Sequence, residues 1–294
     1  MVETRRRNTS RDKQKISPLN TVKPPRKLLY FNELEDWRKD NEFILTGYVP
    51  SERSFRKCLH SLFYIHNETG NVYTHLIPSV FVFVIQAFAI LEITPPLILF
   101  FAGCTACLGM SATYHLLGSH SHRVASIGNK FDYVGICILI ATSMISLVEI
   151  AFNDKQNERH LFIGLTTIFA VLCSAVSLSD TFRTPKYRPV RATMFVLYGL
   201  SGVFPVLVGY FQFGYREVSL RSSCPWLYME AFCYIFGAFL YALRFPEKHM
   251  PGKFDFIGHS HQIFHVFVVF GAYSHYMALR YAHAYAVIRN LSQF

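Results

Sequence analysis

The segment Gly258-His-Ser-His261-Gln-Ile-Phe-His265 stands at the start of an apolar stretch over residues 263–287. A second motif, Ser111-Ala-Thr-Tyr-His115, stands at the end of another apolar stretch, over residues 97–117. Histidine and serine cost free energy next to hydrocarbon, so their presence there indicates a functional site. The two motifs therefore predict that distant parts of the chain meet at one polar site among apolar helices.

The composition favours a membrane protein. Of the 294 residues, 51% are hydrophobic and 16% are charged, and there are 28 Phe and 17 Tyr. Soluble domains carry about 25% charged residues. The seven cysteines are scattered and indicate no disulfide framework. Because the body of the chain is apolar, we expect no binding of nucleic acid.

Seven apolar stretches are long enough to cross a membrane, which takes about 20 residues as a helix. They are 73–91, 97–117, 131–152, 161–179, 192–213, 226–245 and 263–287. The predicted fold is therefore an all-α membrane protein with seven transmembrane helices over residues 73–288. Residues 28–72 are expected to form a cytosolic or interfacial amphipathic region, with helical patterns at 28–37 and 54–64. Residues 289–294 are expected to form a short C-terminal tail.

The placement of Lys and Arg predicts the orientation, since these residues are enriched in cytoplasmic loops. Residues 1–27 hold nine Lys or Arg and two acidic residues, which predicts a disordered basic tail. The second, fourth and sixth connections hold eight Lys or Arg, against six on the opposite side. Together with the tail, this bias predicts a cytosolic N-terminus and a C-terminus on the opposite side.

With that topology, His115, Asp132, His261 and His265 are expected at the inner leaflet. The start of the first span, with Glu68, Asn71 and His75, is expected at the same level. The i, i+4 spacing of His261 and His265 presents two imidazoles on one helix face, as zinc-binding helices do. With His115 as a third ligand, one of four tetrahedral positions stays open for water, which is typical of catalytic zinc. Asp132 could orient or deprotonate that water, or hold a ligand histidine.

Other polar residues near this site leave alternatives open. Ser111 shares a helix face with His115, and its hydroxyl could instead bond to its own helix. Three histidines in neighbouring loops compete for the ligand positions, namely His120, His122 and His259. A second polar face, for which structural hydrogen bonding is expected rather than ligation, consists of Glu68, Asn71 and His75.

At these residues the chain resembles the progestin and adipoQ receptor family, which includes adiponectin-receptor-like proteins and relatives of haemolysin III. The matching motifs are Glu68-Thr-Gly-Asn71-Val-Tyr-Thr-His75, Ser111-x-x-x-His115, Asn129-Lys-Phe-Asp132-Tyr-Val-Gly135, Arg244-Phe-Pro246-Glu247 and Pro251-Gly-Lys-Phe-Asp255, which precedes His259-Ser-His261-Gln-Ile-Phe-His265. The basic tail and Phe43-Ile-Leu-Thr-Gly47-Tyr look most like the fungal, zinc-homeostasis-linked branch. The resemblance implies a Zn2+ ion held by His115, His261 and His265, with Asp132 and Ser111 beside the zinc-bound water.

The resemblance implies two functions of different classes. The first is a zinc-dependent, ceramidase-like hydrolase of lipid amides, linked to lipid metabolism and zinc homeostasis. The second is a receptor in which zinc is structural and a lipid, peptide or steroid ligand shifts a conformational equilibrium. A metal transporter is less favoured, because the opposite halves of the spans offer few ligand residues beyond Glu149, His275 and His283. Membrane lipids, including sphingolipid or sterol-like ligands, are the expected partners, in the endoplasmic reticulum or plasma membrane.

Overall fold

A computed structural model describes residues 28–89, 94–182 and 184–291. Within these ranges the chain is helical, apart from loops, short 3-10 turns and a single bridge between Leu29 and Tyr48. The ten α-helices are α1 (Phe55–His60), α2 (Thr69–Ala89), α3 (Pro95–Leu117), α4 (His122–Ala151), α5 (Gln156–Ser177), α6 (Arg188–Leu200), α7 (Val203–Phe213), α8 (Tyr215–Ser222), α9 (Cys224–Leu243) and α10 (Ser260–Leu291). The predicted basic tail, 1–27, and the last three residues of the predicted C-terminal tail lie outside the described residues.

Six helical stretches in the described part of the chain are long and apolar enough to cross a membrane: α2, α3, α4, α5, α6 with α7, and α9. Their outward sides carry exposed aromatic residues such as Phe81, Phe211 and Phe232. In a membrane these side chains face hydrocarbon, so the chain is a multi-pass integral membrane protein, as predicted. At 32 residues, α10 is longer than any of the six helices, but its histidines, serines and arginines make it less apolar.

The helices extend past several of the predicted spans. The helix α4 begins at His122, where the Ser121 hydroxyl accepts a hydrogen bond from the backbone N–H of Val124. Consequently Arg123 and Lys130, which were assigned to a connection, lie within a helix. The predicted fifth span is interrupted between α6 and α7, at residues 201–202.

The region before the first span is less helical than its amphipathic pattern suggested. Residues 28–37 form short turns, and Leu34 packs with Ile44 and Tyr48 in a small buried cluster. Residues 54–64 form α1 and one further 3-10 turn. There Phe55 and Phe63 are exposed, which gives this segment an apolar surface suited to the membrane interface.

The long helices alternate in direction, so their ends gather at two levels of the bundle. The helix α3 finishes at the same level at which α2, α4 and α10 begin, since His115 lies beside Glu68 and His261 and Tyr114 lies beside Gly128. We call His115, His261 and His265 the triad, and this level the triad end. Close helix contacts hold the arrangement: Gly103 of α3 faces Thr142 of α4, and Gly135 of α4 would place a Cβ 3.1 Å from Cys107 Cα. Because glycine lets the backbones approach, α3 and α4 pack tightly beside the site described next.

Candidate metal centre

Three predicted ligands, His115, His261 and His265, come together at the triad end. One ring nitrogen from each lies within 4.8 Å of the others. The ring of His115 is 4.8 Å from that of His261 and 4.9 Å from that of His265, centroid to centroid. Among the described residues, this is the one group of three or more metal-ligating side chains close enough to share an ion.

Two of the rings are oriented through their Nδ1 atoms. His115 Nδ1 lies 2.8 Å from Glu68 Oε2, and His265 Nδ1 lies 3.1 Å from the Asn71 carbonyl oxygen. A neutral imidazole that donates from Nδ1 presents the lone pair of Nε2 to a metal, and such bonds are the usual support for ligand histidines. In the described part of the chain, the buried His115 Nε2 has no hydrogen-bond partner. The donor set therefore fits a zinc ion.

Glu68 is the carboxylate that orients the triad, a role that the sequence did not reveal. Its Oε2 also accepts a hydrogen bond of 2.6 Å from Asn71 Nδ2. Burial raises the pKa of the Glu68 carboxyl, but the bonds from His115 and Asn71 outweigh burial and hold this pKa well below its ordinary value. The i, i+3 spacing of Glu68 and Asn71 indicated a shared face, whereas the contact with His115 depends on how α2 packs against α3.

His75, Ser111 and Asp132 form a polar layer beside the triad. The His75 ring stacks on that of His265, with centroids 3.7 Å apart and planes 10° apart. His75 Nδ1 lies 2.9 Å from Ser111 Oγ, and Ser111 is also close enough to Asp132 for its hydroxyl to interact with that carboxylate. Asp132 is buried and close enough to His115 for electrostatic interaction. The two residues predicted to assist a metal-bound water therefore lie next to the histidines.

The three competing histidines make other contacts. His120 stacks on Phe55, with ring centroids 4.1 Å apart, and His122 packs against Trp37, with ring centroids 5.6 Å apart. Burial lowers the pKa of His259, whose Nε2 lies 3.4 Å from the Asn67 carbonyl oxygen. None of the three belongs to the ligand cluster found among the described residues.

Glu247 fixes the start of the helix that carries two of the ligands. Its fully buried carboxylate accepts hydrogen bonds from the Ser260 backbone N–H at 2.7 Å and from the Ser260 hydroxyl at 2.5 Å. A third bond, of 3.0 Å, comes from Asn41 Nδ2. A carboxylate at a helix N-terminus is favourable because of the helix dipole. This contact sets the position of His261 and His265 in the first two turns of α10.

The triad opens onto a large cavity of about 870 Å³ among the helices, lined by the histidines, Ser111 and Asp132 at one end. Much of the remaining wall is apolar, and includes Ile136, Leu147, Phe195, Val206 and Val268. A cavity with apolar walls and a few polar groups is typical of a binding site for an apolar small molecule. Its size is sufficient for a lipid chain.

The protein has several membrane-crossing helices around a buried histidine cluster. It is therefore a multi-pass helical membrane protein with a candidate metal centre between its helices. Within that class, a family model described as haemolysin-III related matches residues 63–276. The chain belongs to this family, and the match includes the triad, Glu68 and Asp132. The family resemblance inferred from the motifs is confirmed.

Curated relatives agree with this assignment. The chain is 43% identical to ADIPOR-like receptor IZH2 of Saccharomyces cerevisiae, over 86% of this chain and 83% of the relative. It is 41% identical to ADIPOR-like receptor IZH1 of Eremothecium gossypii, over 86% of this chain and 84% of that relative. The Adiponectin receptor protein of Drosophila melanogaster is 36% identical, over 89% of this chain and 61% of that protein. The chain is therefore an adiponectin-receptor-like membrane protein.

Proposed function

We propose that this protein is a zinc-dependent intramembrane hydrolase of lipid amides of the ceramide type, linked to lipid metabolism and zinc homeostasis. The observation that carries the proposal is the triad itself, whose three ring nitrogens lie within 4.8 Å of one another at the wall of an apolar cavity. A polar reaction centre beside a lipid-sized cavity suits a substrate that has an amide next to long alkyl chains.

The proposed topology has seven spans, with α10 as the seventh, a cytosolic N-terminus and a C-terminus on the opposite side. The alternating helix directions and the basic N-terminal sequence support it. The triad end then faces the cytosolic leaflet. The proposed location is the endoplasmic reticulum or the plasma membrane.

When bound, zinc supplies the Lewis acidity for attack on the amide carbonyl. The chain's own residues have separate tasks around that chemistry. The Asp132 carboxylate takes the proton of the attacking water and passes it to the amide nitrogen as the C–N bond breaks, so that a fatty acid and an amine leave. The Ser111 hydroxyl interacts with the Asp132 carboxylate and helps to orient it. Glu68 fixes the His115 ring through Nδ1. The apolar wall binds the alkyl chains and keeps bulk water from the reaction.

Zinc content and ceramide hydrolysis, measured on purified protein, test this proposal. We expect His261→Ala to lose both zinc and turnover, because one of three ligands is removed. Asp132→Asn should keep the zinc and lose turnover by about 100-fold or more, the size of a general-base contribution. His160→Ala is the matched control, since this histidine is exposed on α5. A parent protein without zinc, or an Asp132→Asn variant with full turnover, would contradict the proposal.

A receptor in which zinc is structural is the second candidate. It is supported by the way in which the site joins α3 to α10 through the triad, and α2 to α3 through Glu68. Zinc would then hold these helices together while a lipid, peptide or steroid ligand shifts their equilibrium. Stoichiometric zinc with no turnover on any lipid amide, combined with loss of signalling in His261→Ala, would favour this candidate over the hydrolase.

A further inference from the structure

The cavity has a second polar cluster away from the triad, which the proposed chemistry does not use. Glu230 and Tyr234 are four residues apart on α9, so they share one helix face. His275 of α10 contacts Glu230, with its Nδ1 2.8 Å from Glu230 Oε2. All three side chains line the cavity. We call Glu230, Tyr234 and His275 the distal cluster.

The distal cluster lies deep within the helix bundle. His275 follows His265 by ten residues on the same helix, which corresponds to about 15 Å along its axis. The His275 side chain is 3% exposed and that of Glu230 is 16% exposed. On its other side, the His275 ring packs against Phe100, 4.9 Å away between centroids. Ionisable residues at such a depth are costly and usually serve a function.

The hydrogen bonding of the distal cluster leaves acceptors that can serve a ligand. If His275 donates from Nδ1 to Glu230, its Nε2 carries a lone pair. Among the residues that the structure describes, this Nε2 and the Tyr234 hydroxyl are buried and have no hydrogen-bond partner. The Tyr234 ring lies against α10 at Gly271, where a Cβ would come within 2.6 Å of it. This contact keeps the Tyr234 ring one helical turn from His275.

We propose that the distal cluster is a second binding subsite, which takes a hydrogen-bond donor, a hydroxyl or an ammonium group, at the far end of a long-chain lipid. The Glu230 carboxylate and the His275 lone pair accept hydrogen bonds, and the Tyr234 hydroxyl can accept as well as donate, so a donor is favoured. A carboxylate is disfavoured because it would lie beside the Glu230 carboxylate. The other end of the same lipid lies at the triad. In that respect the subsite rests on the proposed function. Among lipid amides it favours one whose alkyl chain ends in a hydrogen-bond donor over a ceramide whose chain ends in a methyl group.

Binding of four probes to the full-length protein in lipid nanodiscs tests the subsite. The probes are palmitic acid, its ω-hydroxy and ω-amino derivatives, and hexadecanedioic acid, which carries a second carboxylate. We expect the hydroxy or the amino probe to bind about tenfold more tightly than palmitic acid, the size of one good hydrogen bond. The stronger of the two identifies the preferred donor. Hexadecanedioic acid should bind more weakly than palmitic acid.

Variants of the distal cluster show whether these residues cause the preference. Glu230→Gln should remove the discrimination against hexadecanedioic acid, and His275→Gln should bring the ω-hydroxy and plain probes to nearly equal Kd. Tyr234→Phe keeps the ring and removes only the hydroxyl. If Glu230→Gln or His275→Gln does not fold, a reduced preference for the ω-hydroxy probe in Tyr234→Phe supports the subsite, and an unchanged preference contradicts it. A melting temperature and a zinc content equal to those of the parent show that a variant is folded, and His160→Gln, at an exposed position of α5, is the control.

Two results would overturn the subsite: equal Kd values for all four probes in the parent, or a donor preference that survives in every distal variant. Failure of the proposed function has a different signature. A parent without zinc or turnover would refute the hydrolase, whereas the ratio of Kd values between probes would still report on the distal cluster. Conversely, equal Kd values for the probes would refute the subsite but not the hydrolase, which is judged by metal content and turnover.

Discussion

The substitution Glu68→Gln tests whether the Glu68 carboxylate holds the His115 ring in the orientation that binds a metal. Glu68 Oε2 receives hydrogen bonds from both His115 Nδ1, at 2.8 Å, and Asn71 Nδ2, at 2.6 Å. Glutamine keeps an oxygen that can accept the His115 bond but loses the negative charge. That charge makes the His115 ring more basic and fixes its tautomer, so its loss should weaken the binding of zinc.

The expected size of this effect follows from the contact that is lost. Removing the partner that orients a ligand histidine costs about 10- to 100-fold in metal affinity. Because glutamine still accepts a hydrogen bond, Glu68→Gln should fall near tenfold, about 1.4 kcal/mol. Glu68→Ala removes the acceptor as well and should approach 100-fold. Competition between the purified protein and a zinc chelator of known affinity measures both values.

Glu42→Gln is the matched control, because Glu42 is exposed and lies outside the cavity wall. It makes the same chemical change and should leave zinc affinity unaltered. The reasoning is refuted if Glu68→Gln and Glu68→Ala both hold zinc as tightly as the parent does. In that case the bond between Glu68 and His115 would be a helix-packing contact without influence on the metal.

Two further predictions concern stability. Gly103→Ala would place a methyl group against the Thr142 hydroxyl, and such overpacking should lower the free energy of unfolding by about 1–3 kcal/mol, measured by thermal unfolding. Gly164→Ala is the control and should change the free energy of unfolding little, because nothing lies within 4 Å of the added methyl group. Burial raises the pKa of Asp154, but its hydrogen bonds with Arg221 outweigh burial and hold this pKa below the ordinary value. A carboxyl with a lowered pKa stabilises the fold above about pH 4 and loses this effect as the pH falls. The melting temperature of Arg221→Gln should therefore depend less on pH below about 4 than that of the parent, and equal pH dependence would contradict this account.

Local sequence patterns were enough to predict the helical class and the approximate positions of the spans. A long apolar run directly indicates a helix that can cross a membrane. The i, i+4 spacing of His261 and His265 directly indicates that the two side chains share a helix face. Helix ends were less predictable. The start of α4 at His122 depends on a capping bond from Ser121, which hydrophobicity does not register. The break between α6 and α7, at residues 201–202, lies inside an apolar run, so hydrophobicity does not register it either.

The support around the candidate site required the packing of helices that are distant in sequence. Glu68 meets His115 because α2 packs against α3, and neither motif alone specifies that contact. His275 lies ten residues beyond His265 on α10 and does not belong to the triad. Its partner Glu230 could not be found from sequence, because a single acidic residue in an apolar span has no local partner that identifies its role.

The most direct test of the account is X-ray absorption spectroscopy at the zinc edge, on purified protein loaded with one equivalent of zinc. A zinc ion bound at the triad should be four-coordinate, with three imidazole nitrogens and one oxygen, all at about 2.0–2.1 Å, and no sulfur. The imidazole signal should fall in His261→Ala. Sulfur scattering near about 2.3 Å, or a spectrum that His261→Ala leaves unchanged, would contradict the account, because the ion would then be bound somewhere other than the triad.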